Sequence, residues 1–273
     1  MGLFARKFQI TEYTVTSEFF KGNERPVTAV LVADLHNQVY GRGNAGLLCA
    51  VDMLEPDFIL CAGDMLVGKP KATMEPAIHF MSELARRYPV YYGNGNHEDR
   101  LRRNPMVYGD MYQEYESRLK RAGVHFLIND KAVVPAGRTY VNIYGYSLEA
   151  SYYRKCCCLE LTSRQLAHAL GEADKRCFNI LIAHNPVYGE AYSKWGADLT
   201  VSGHLHGGIV RLPKLGGVIS PQFRLFPKYD GGDYLIGGRH MIVSRGLGSH
   251  TVNIRIMNRP ELIVVKLLPP RQP

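Results

Sequence analysis

Residues 27–36 read Val-Thr-Ala-Val-Leu-Val-Ala-Asp-Leu-His. All of residues 27–33 except Thr28 are apolar, the composition of a short strand buried on both faces. A strand covered on both sides belongs to a sheet inside a layered α/β protein. The run ends on Asp34 and His36, two positions apart, so both side chains leave an extended backbone on the same side. The same arrangement recurs along the chain. Phe58–Cys61 is followed by Gly63-Asp64, and Val90–Tyr92 by Gly95-Asn96-His97-Glu98. Phe178–Ala183 is followed by His184-Asn185-Pro186, and Leu199–Ser202 by Gly203-His204-Leu205-His206. Each strand delivers a carboxylate, an amide or an imidazole at its carboxyl end, the edge at which open α/β sheets bind ligands.

The segments between these strands complete the pattern. Residues 7–16 alternate in polarity and read as an edge strand. Helical spacing covers 44–55, 74–87, 105–122 and 163–170. Shorter strands are expected at 124–127, 131–134 and 139–146, then at 241–244, 251–256 and 262–268. Residues 213–238 are rich in Gly and Pro and read as an irregular loop or hairpin. Early parallel βα units followed by late strands fit a sandwich of two sheets with helices outside, built as one domain over residues 1–273.

The composition is that of an ordinary globular chain: 273 residues, 46% hydrophobic and 21% charged, which excludes collagen, coiled coil and disorder. The longest wholly apolar runs, at 29–33 and 47–51, fall far short of the roughly 20 residues of a membrane span. The first residues show no apolar signal core, and Arg6 occupies the position where N-myristoylation wants Ser or Thr. The expected location is therefore cytoplasmic, with room for peripheral contact with a membrane. The net charge of +8 favours an anionic partner. Basic runs such as Arg100–Arg103 are not interleaved with aromatics in a nucleic-acid pattern. Cys156, Cys157 and Cys158 are consecutive and lack the Cys-x-x-Cys spacing of a metal knuckle, so reduced thiols are expected.

Carboxylate, imidazole and amide oxygen together suit Mn²⁺, Fe or Zn²⁺ better than Cu(I) or Ca²⁺. Asp34, His36, Asp64, Asn96, His184, His204 and His206 outnumber the three protein ligands usual for one catalytic metal. They match two ions about 3.5–4 Å apart that share a carboxylate. His97 is left over beside Asn96, placed to act as general acid or to stabilise developing charge. The remaining histidines (His79, His125, His168, His240 and His250) are scattered and read as structural or surface residues.

The ordered set Asp34-x-His36, Gly63-Asp64, Gly95-Asn96-His97-Glu98, His184 and Gly203-His204-x-His206 resembles the calcineurin-like metallophosphoesterase superfamily over residues 34–206. The stretch from Gly203 to His250 is similar to its bacterial YkuE/YaeI-like branch, which includes relatives with UDP-diacylglucosamine pyrophosphohydrolase chemistry. The resemblance implies a four-layer α/β/β/α sandwich of two mixed sheets with a dinuclear metal site. It implies that Asp34, His36 and His206 hold one ion, that Asn96, His184 and His204 hold the other, and that Asp64 bridges them. It implies further that His97 is the catalytic histidine and that a hydroxide between the ions attacks phosphorus in line. The sequence departs from the branch at Ala33, where Ser is common, and at Asn37-Gln38, without losing a ligand.

The expected activity is hydrolysis of a phosphodiester or pyrophosphate by a metal-dependent phosphohydrolase. The expected substrate is a phosphate-bearing small molecule or a lipid-linked phosphate. A nuclease of the same superfamily is the second reading, and a non-catalytic scaffold on this fold the third. Gly41-Arg42-Gly43-Asn44-Ala45-Gly46 matches a dinucleotide fingerprint but starts too far after the strand, and reads as entry into a helix. Asn94 reads as a turn residue. Arg245 follows a late strand and either meets substrate phosphate or serves an ion pair. Residues 212–229 mix apolar and basic side chains, the composition of a lip for a lipid-linked phosphate or of a loop folded back on the sandwich.

Overall fold

The computed structural model describes residues 8–154, 159–208, 210–212, 216–219, 227–249 and 255–270. The buried runs pair as the sequence requires. One six-stranded sheet has the order β1 (Gln9–Thr16), β14 (Glu261–Leu268), β2 (Val27–Val32), β3 (Phe58–Cys61), β4 (Val90–Tyr92) and β5 (Val124–Phe126). β2 to β5 are parallel, β14 runs antiparallel to β2, and β1 lies parallel to β14 on the edge. The second six-stranded sheet has the order β12 (Gly232–Ile236), β13 (Arg239–Val243), β9 (Leu199–Ser202), β8 (Phe178–Ala183), β7 (Thr139–Tyr146) and β6 (Asp130–Ala136). Its inner strands β13, β9, β8 and β7 are parallel, with β12 and β6 antiparallel on the two edges. Pro135 falls on edge strand β6, where its missing N–H costs no inner ladder bond.

The period of two divides each strand between two cores. Ala29, Leu31, Phe58 and Leu60 face Ile143, Ile180, Ile182 and Val201 in a core between the sheets. Val30, Val32, Ile59 and Tyr92 point the other way, onto helices α1 (Ala45–Asp52), α2 (Glu75–Ala85) and α5 (Met111–Ala122). On the far side, Leu181, Ala183 and Val243 pack against Leu166 of α6 (Ser163–Leu170) and against Tyr192 and Trp195 of α7 (Gly189–Trp195). The four layers are therefore α/β/β/α, as the resemblance implies.

The differences from expectation are local. The helix expected over 105–122 is two, α4 (Pro105–Tyr108) and α5, because Gly109 at φ 57° takes a left-handed conformation that no helix continues. Two helices were not expected. α3 (Asn96–Arg103) is polar except for Leu101 and lacks an apolar period, and α7 opens on Gly189. The Gly/Pro-rich stretch holds two strands: β12, and β11 (Gly216–Ile219), which pairs with β10 (Val210–Leu212). Most of the strand expected at 251–256, the Cys156–Cys158 run, and residues 213–215 and 220–226 of the apolar-basic loop lie outside the described residues, as does His250. The glycine-rich stretch after Tyr40 is a 3-10 turn leading into α1, an entry into a helix as expected. Among the described residues, no helix is long and apolar enough to cross a membrane.

Candidate metal centre

The carboxyl ends of β2, β3 and β4 in one sheet meet those of β8 and β9 in the other. The loops that follow are tied across the seam. The amide of His204 donates to Asp34 Oδ2 at 3.0 Å, and His184 Nδ1 donates to the carbonyl of Ala62 at 2.6 Å. Within the first sheet, the His36 amide donates to the Asp64 carbonyl at 3.1 Å and the His97 amide to Asp64 Oδ1 at 2.7 Å. The local backbone is unusual. Asp34, His36, Asp64, His204 and His206 all have positive φ, between 46° and 73°. Non-glycine residues adopt that region at a cost of roughly 1–3 kcal/mol each, and such strain clusters at functional sites.

The side chains brought together are those expected. Asp34, His36 and His206 offer ligand atoms within 4.8 Å of one another, as do Asp64, His184 and His204. His206 Nε2 lies 3.3 Å from Asp34 Oδ1, and His184 Nε2 lies 3.2 Å from Asp64 Oδ2. His36 joins the two trios, its Nε2 3.1 Å from His206 Nε2 and 4.0 Å from Asp64 Oδ2. All of these except His204 are buried. Asn96 opens α3 one position before His97, and its Oδ1 is buried with no hydrogen-bond partner.

Tautomers separate His97 from the other rings. A carbonyl can only accept, so the proton of His184 sits on Nδ1 opposite Ala62, and that of His36 on Nδ1 opposite Leu66 at 3.3 Å. When neutral, each ring therefore presents the Nε2 lone pair to the cluster, the arrangement in which metal-ligating histidines are held. His97 is reversed. Its Nδ1 accepts the Gly68 amide at 2.7 Å, so a neutral ring carries its proton on Nε2, which lies 3.9 Å from Asp64 Oδ2. His36, Asp64 and His97 also lie close enough to form a trio, but in this tautomer His97 has no lone pair to give.

Electrostatics reflect crowding of buried charge. Burial, reinforced by Asp64, raises Asp34 from its ordinary 3.8 to about 7, against the pull of His184. Burial also works against ionisation of Asp64, yet His184, His97 and His36 hold it well below the usual carboxylate range. Burial lowers His184, but Asp64 and Asp34 override it and lift the ring to about 10. These residues fit a divalent cation. The donor set is oxygen and imidazole nitrogen, and the buried Asn96 Oδ1 has no hydrogen-bond partner.

Several residues at the cluster were not singled out by sequence. Glu98 accepts from the amides of Asp64 at 2.8 Å, Met65 at 2.8 Å and Gly95 at 3.0 Å, and from the Tyr92 hydroxyl at 2.9 Å. Glu98 at the third position of α3 accepts the amide of Gly95 at the helix start, the acidic half of a capping box, a signal readable in Gly-Asn-His-Glu. Arg255 donates to the carbonyls of Gly248 and Arg245 and lies 3.3 Å from His206 Nδ1. Nothing local announces it, since it stands 49 positions from His206. Asn258 holds the His204–Gly208 turn by donating to the carbonyls of His206 and Gly208, at 2.6 Å each. Arg245 forms an ion pair with the buried Glu261. Asn94 donates to the Tyr112 hydroxyl at 3.0 Å. His79, His125 and His168 are exposed, and His240 pairs with Asp233 at 2.9 Å.

The fold and the cluster define a metal-dependent phosphohydrolase. The chain belongs to the calcineurin-like phosphoesterase family, whose model matches residues 27–208. Phosphodiesterase YaeI of Escherichia coli is 26% identical over 258 residues, covering 92% of this chain and 85% of that one. The uncharacterised metallophosphoesterase YkuE of Bacillus subtilis is 35% identical over 98 residues, 36% of this chain and 34% of that one. Among solved structures, the phosphopantetheinyl hydrolase PptH of Mycobacterium tuberculosis shares the fold at a TM-score of 0.52. Its identity is 15%, covering 79% of this chain and 88% of that one.

Proposed function

We propose that the protein is a dinuclear phosphodiesterase. In this reading Asp34, His36 and His206 hold one divalent ion, and Asn96, His184 and His204 the other. Asp64, in the trio with His184 and His204, approaches His36 of the other trio to 4.0 Å and would be the carboxylate between the two ions, and this contact of one trio with the other is the observation that carries the reading. When bound, two such ions acidify a water molecule and neutralise charge on the phosphoryl group. The donor set accepts Mn²⁺, Fe or Zn²⁺. The Nδ1–H groups of His36 and His184 are held on carbonyls, which orients both rings before any ligand arrives. His97 keeps its Nε2 proton on the cluster side and donates it to the departing oxygen, or to the charge that develops there. Glu98 holds the Asp64 backbone so that its carboxylate stays between the trios.

The bond cleaved is a phosphodiester or the related pyrophosphate linkage. The similarity to phosphodiesterase YaeI over most of both chains supports the diester reading. The substrate is then a phosphate-bearing small molecule, and the setting cytoplasmic. The test is turnover of bis(p-nitrophenyl) phosphate by metal-stripped protein before and after adding Mn²⁺. Restoration by metal is the expected result. Absence of turnover with Mn²⁺, Fe²⁺ and Zn²⁺ alike overturns the reading.

A further inference from the structure

His204 is the one trio residue that is not buried, and its open side faces a cavity of about 660 Å³. That volume is in the range for organic ligands, and far exceeds what a phosphoryl group alone needs. The wall nearest the cluster is Tyr153, at the end of the 3-10 turn Ala150–Tyr153 that follows β7. Its ring centroid stands 5.1 Å from that of His204 and 6.2 Å from that of His184. The other apolar walls are Tyr152, Leu161, Val187, Tyr188 and Leu205.

The walls are held in place. Tyr152 and Tyr188 meet edge to face with centroids 5.4 Å apart, and the Tyr188 hydroxyl donates to the Tyr152 carbonyl at 3.1 Å. Gln165 Nε2 holds the Tyr152 hydroxyl at 2.8 Å. Charge is confined to the rim. Arg154, Glu160 and Lys194 are exposed there, and Lys228 is paired with Glu190. A preformed, largely apolar chamber with charges of both signs at its mouth, open to a phosphate-chemistry centre, is built for one kind of molecule. We infer that this cavity holds a large apolar arm of the substrate, so that the preferred phosphoester carries one bulky hydrophobic substituent beside the phosphoryl group. The inference rests on the phosphodiesterase reading for the chemistry at the metals, but the cavity can be tested apart from it.

The probes for turnover are p-nitrophenyl phosphodiesters whose second arm is methyl, phenyl or octyl, so that the leaving group stays constant. Burying one methylene changes affinity about fourfold, so kcat/KM for the phenyl and octyl arms should exceed that for methyl by about tenfold or more. The probes for binding are methyl-, phenyl- and octylphosphonate, read as the rise in Tm of metal-stripped protein. Tyr188→Ala removes a wall and Ala191→Phe fills the cavity from α7, where Ala191 is buried on its lining. Both should cut the arm preference to less than about threefold, and Tyr188→Phe should keep it.

Phenyl ahead of octyl assigns a flat ring to the cavity, and octyl ahead of phenyl assigns a chain. Turnover and Tm independent of the arm overturn the inference and leave the hydrolase reading standing. An arm preference that survives both Tyr188→Ala and Ala191→Phe also overturns it. Failure to hydrolyse any diester, with an arm-dependent rise in Tm, overturns the hydrolase reading and keeps the cavity assignment.

Discussion

Asp64 and His97 are adjacent in the cluster, and their chemistry predicts opposite failures. Asp64 is the carboxylate proposed to bridge the two ions, so Asp64→Asn removes charge from both. Metal content measured by emission spectroscopy should fall by at least one ion per chain and turnover should vanish, and an active, fully metallated variant refutes the bridging role. His97 gives its Nδ1 to Gly68 and keeps its proton on Nε2, so it is no ligand in this tautomer. His97→Ala should keep the wild-type metal content and lose roughly 10²–10⁴-fold in kcat. Loss of metal in that variant would make His97 a ligand. Glu98 predicts a third outcome. Each of its oxygens accepts two donors, so Glu98→Gln turns an amide N–H toward N–H or O–H groups. The variant should lose about 1–3 kcal/mol in urea unfolding. Unchanged stability would show that the clamp contributes nothing.

Strands explain why so much was readable. β2, β3, β4, β8 and β9 are buried on both faces, so each appears as a mainly apolar run and the charged or imidazole residues that follow it stand out. That contrast reads all seven candidate ligands and His97 as following strand ends, without showing that Asn96 and His97 open a helix. Leu31 shows the same dependence energetically. It is fully buried in β2, in the core between the sheets and three positions before Asp34. Leu31→Ala should cost about 2–5 kcal/mol in denaturant unfolding, and a cost under about 1 kcal/mol would mean that the core closes over the gap. What was not readable has physical reasons. α3 has a charged face and takes its start from the Glu98 carboxylate on the Gly95 amide, so hydrophobic periodicity passes it by. Left-handed backbone at Asp34, His36 and Asp64 leaves no mark on residue type. Arg255 reaches His206 through a fold-back that only tertiary structure supplies.

At the scale of the whole molecule, the centre is a cluster of buried charge that opposes stability unless protons or a cation neutralise it. Asp34 rises from 3.8 to about 7, through burial and then Asp64. Glu98 rises from 4.5 to about 7, through burial and then Asp64. His184 rises from 6.5 to about 10, because Asp64 outweighs burial. In each case the folded chain holds a proton that the unfolded chain has already shed, so stability falls as pH climbs from the unfolded to the folded value. For the two acids that window runs from about 4 to 7, and for His184 from 6.5 to about 10. Asp64 has the opposite sign, but its contribution is lost only below its ordinary 3.8, outside both windows. The Tm of metal-stripped protein should therefore decline steadily from pH 5 to pH 9. Metal binding needs Asp34 ionised and His184 neutral, so affinity for Mn²⁺ improves over the same range. The gap in Tm between loaded and stripped protein should widen with pH, because ligand stabilisation grows with [L]/Kd. Calorimetry at pH 5, 7 and 9 with and without saturating Mn²⁺ measures it. A stripped protein whose Tm rises across this range, or a gap that narrows, would show that the protons sit elsewhere and that the cluster does not exchange them for metal.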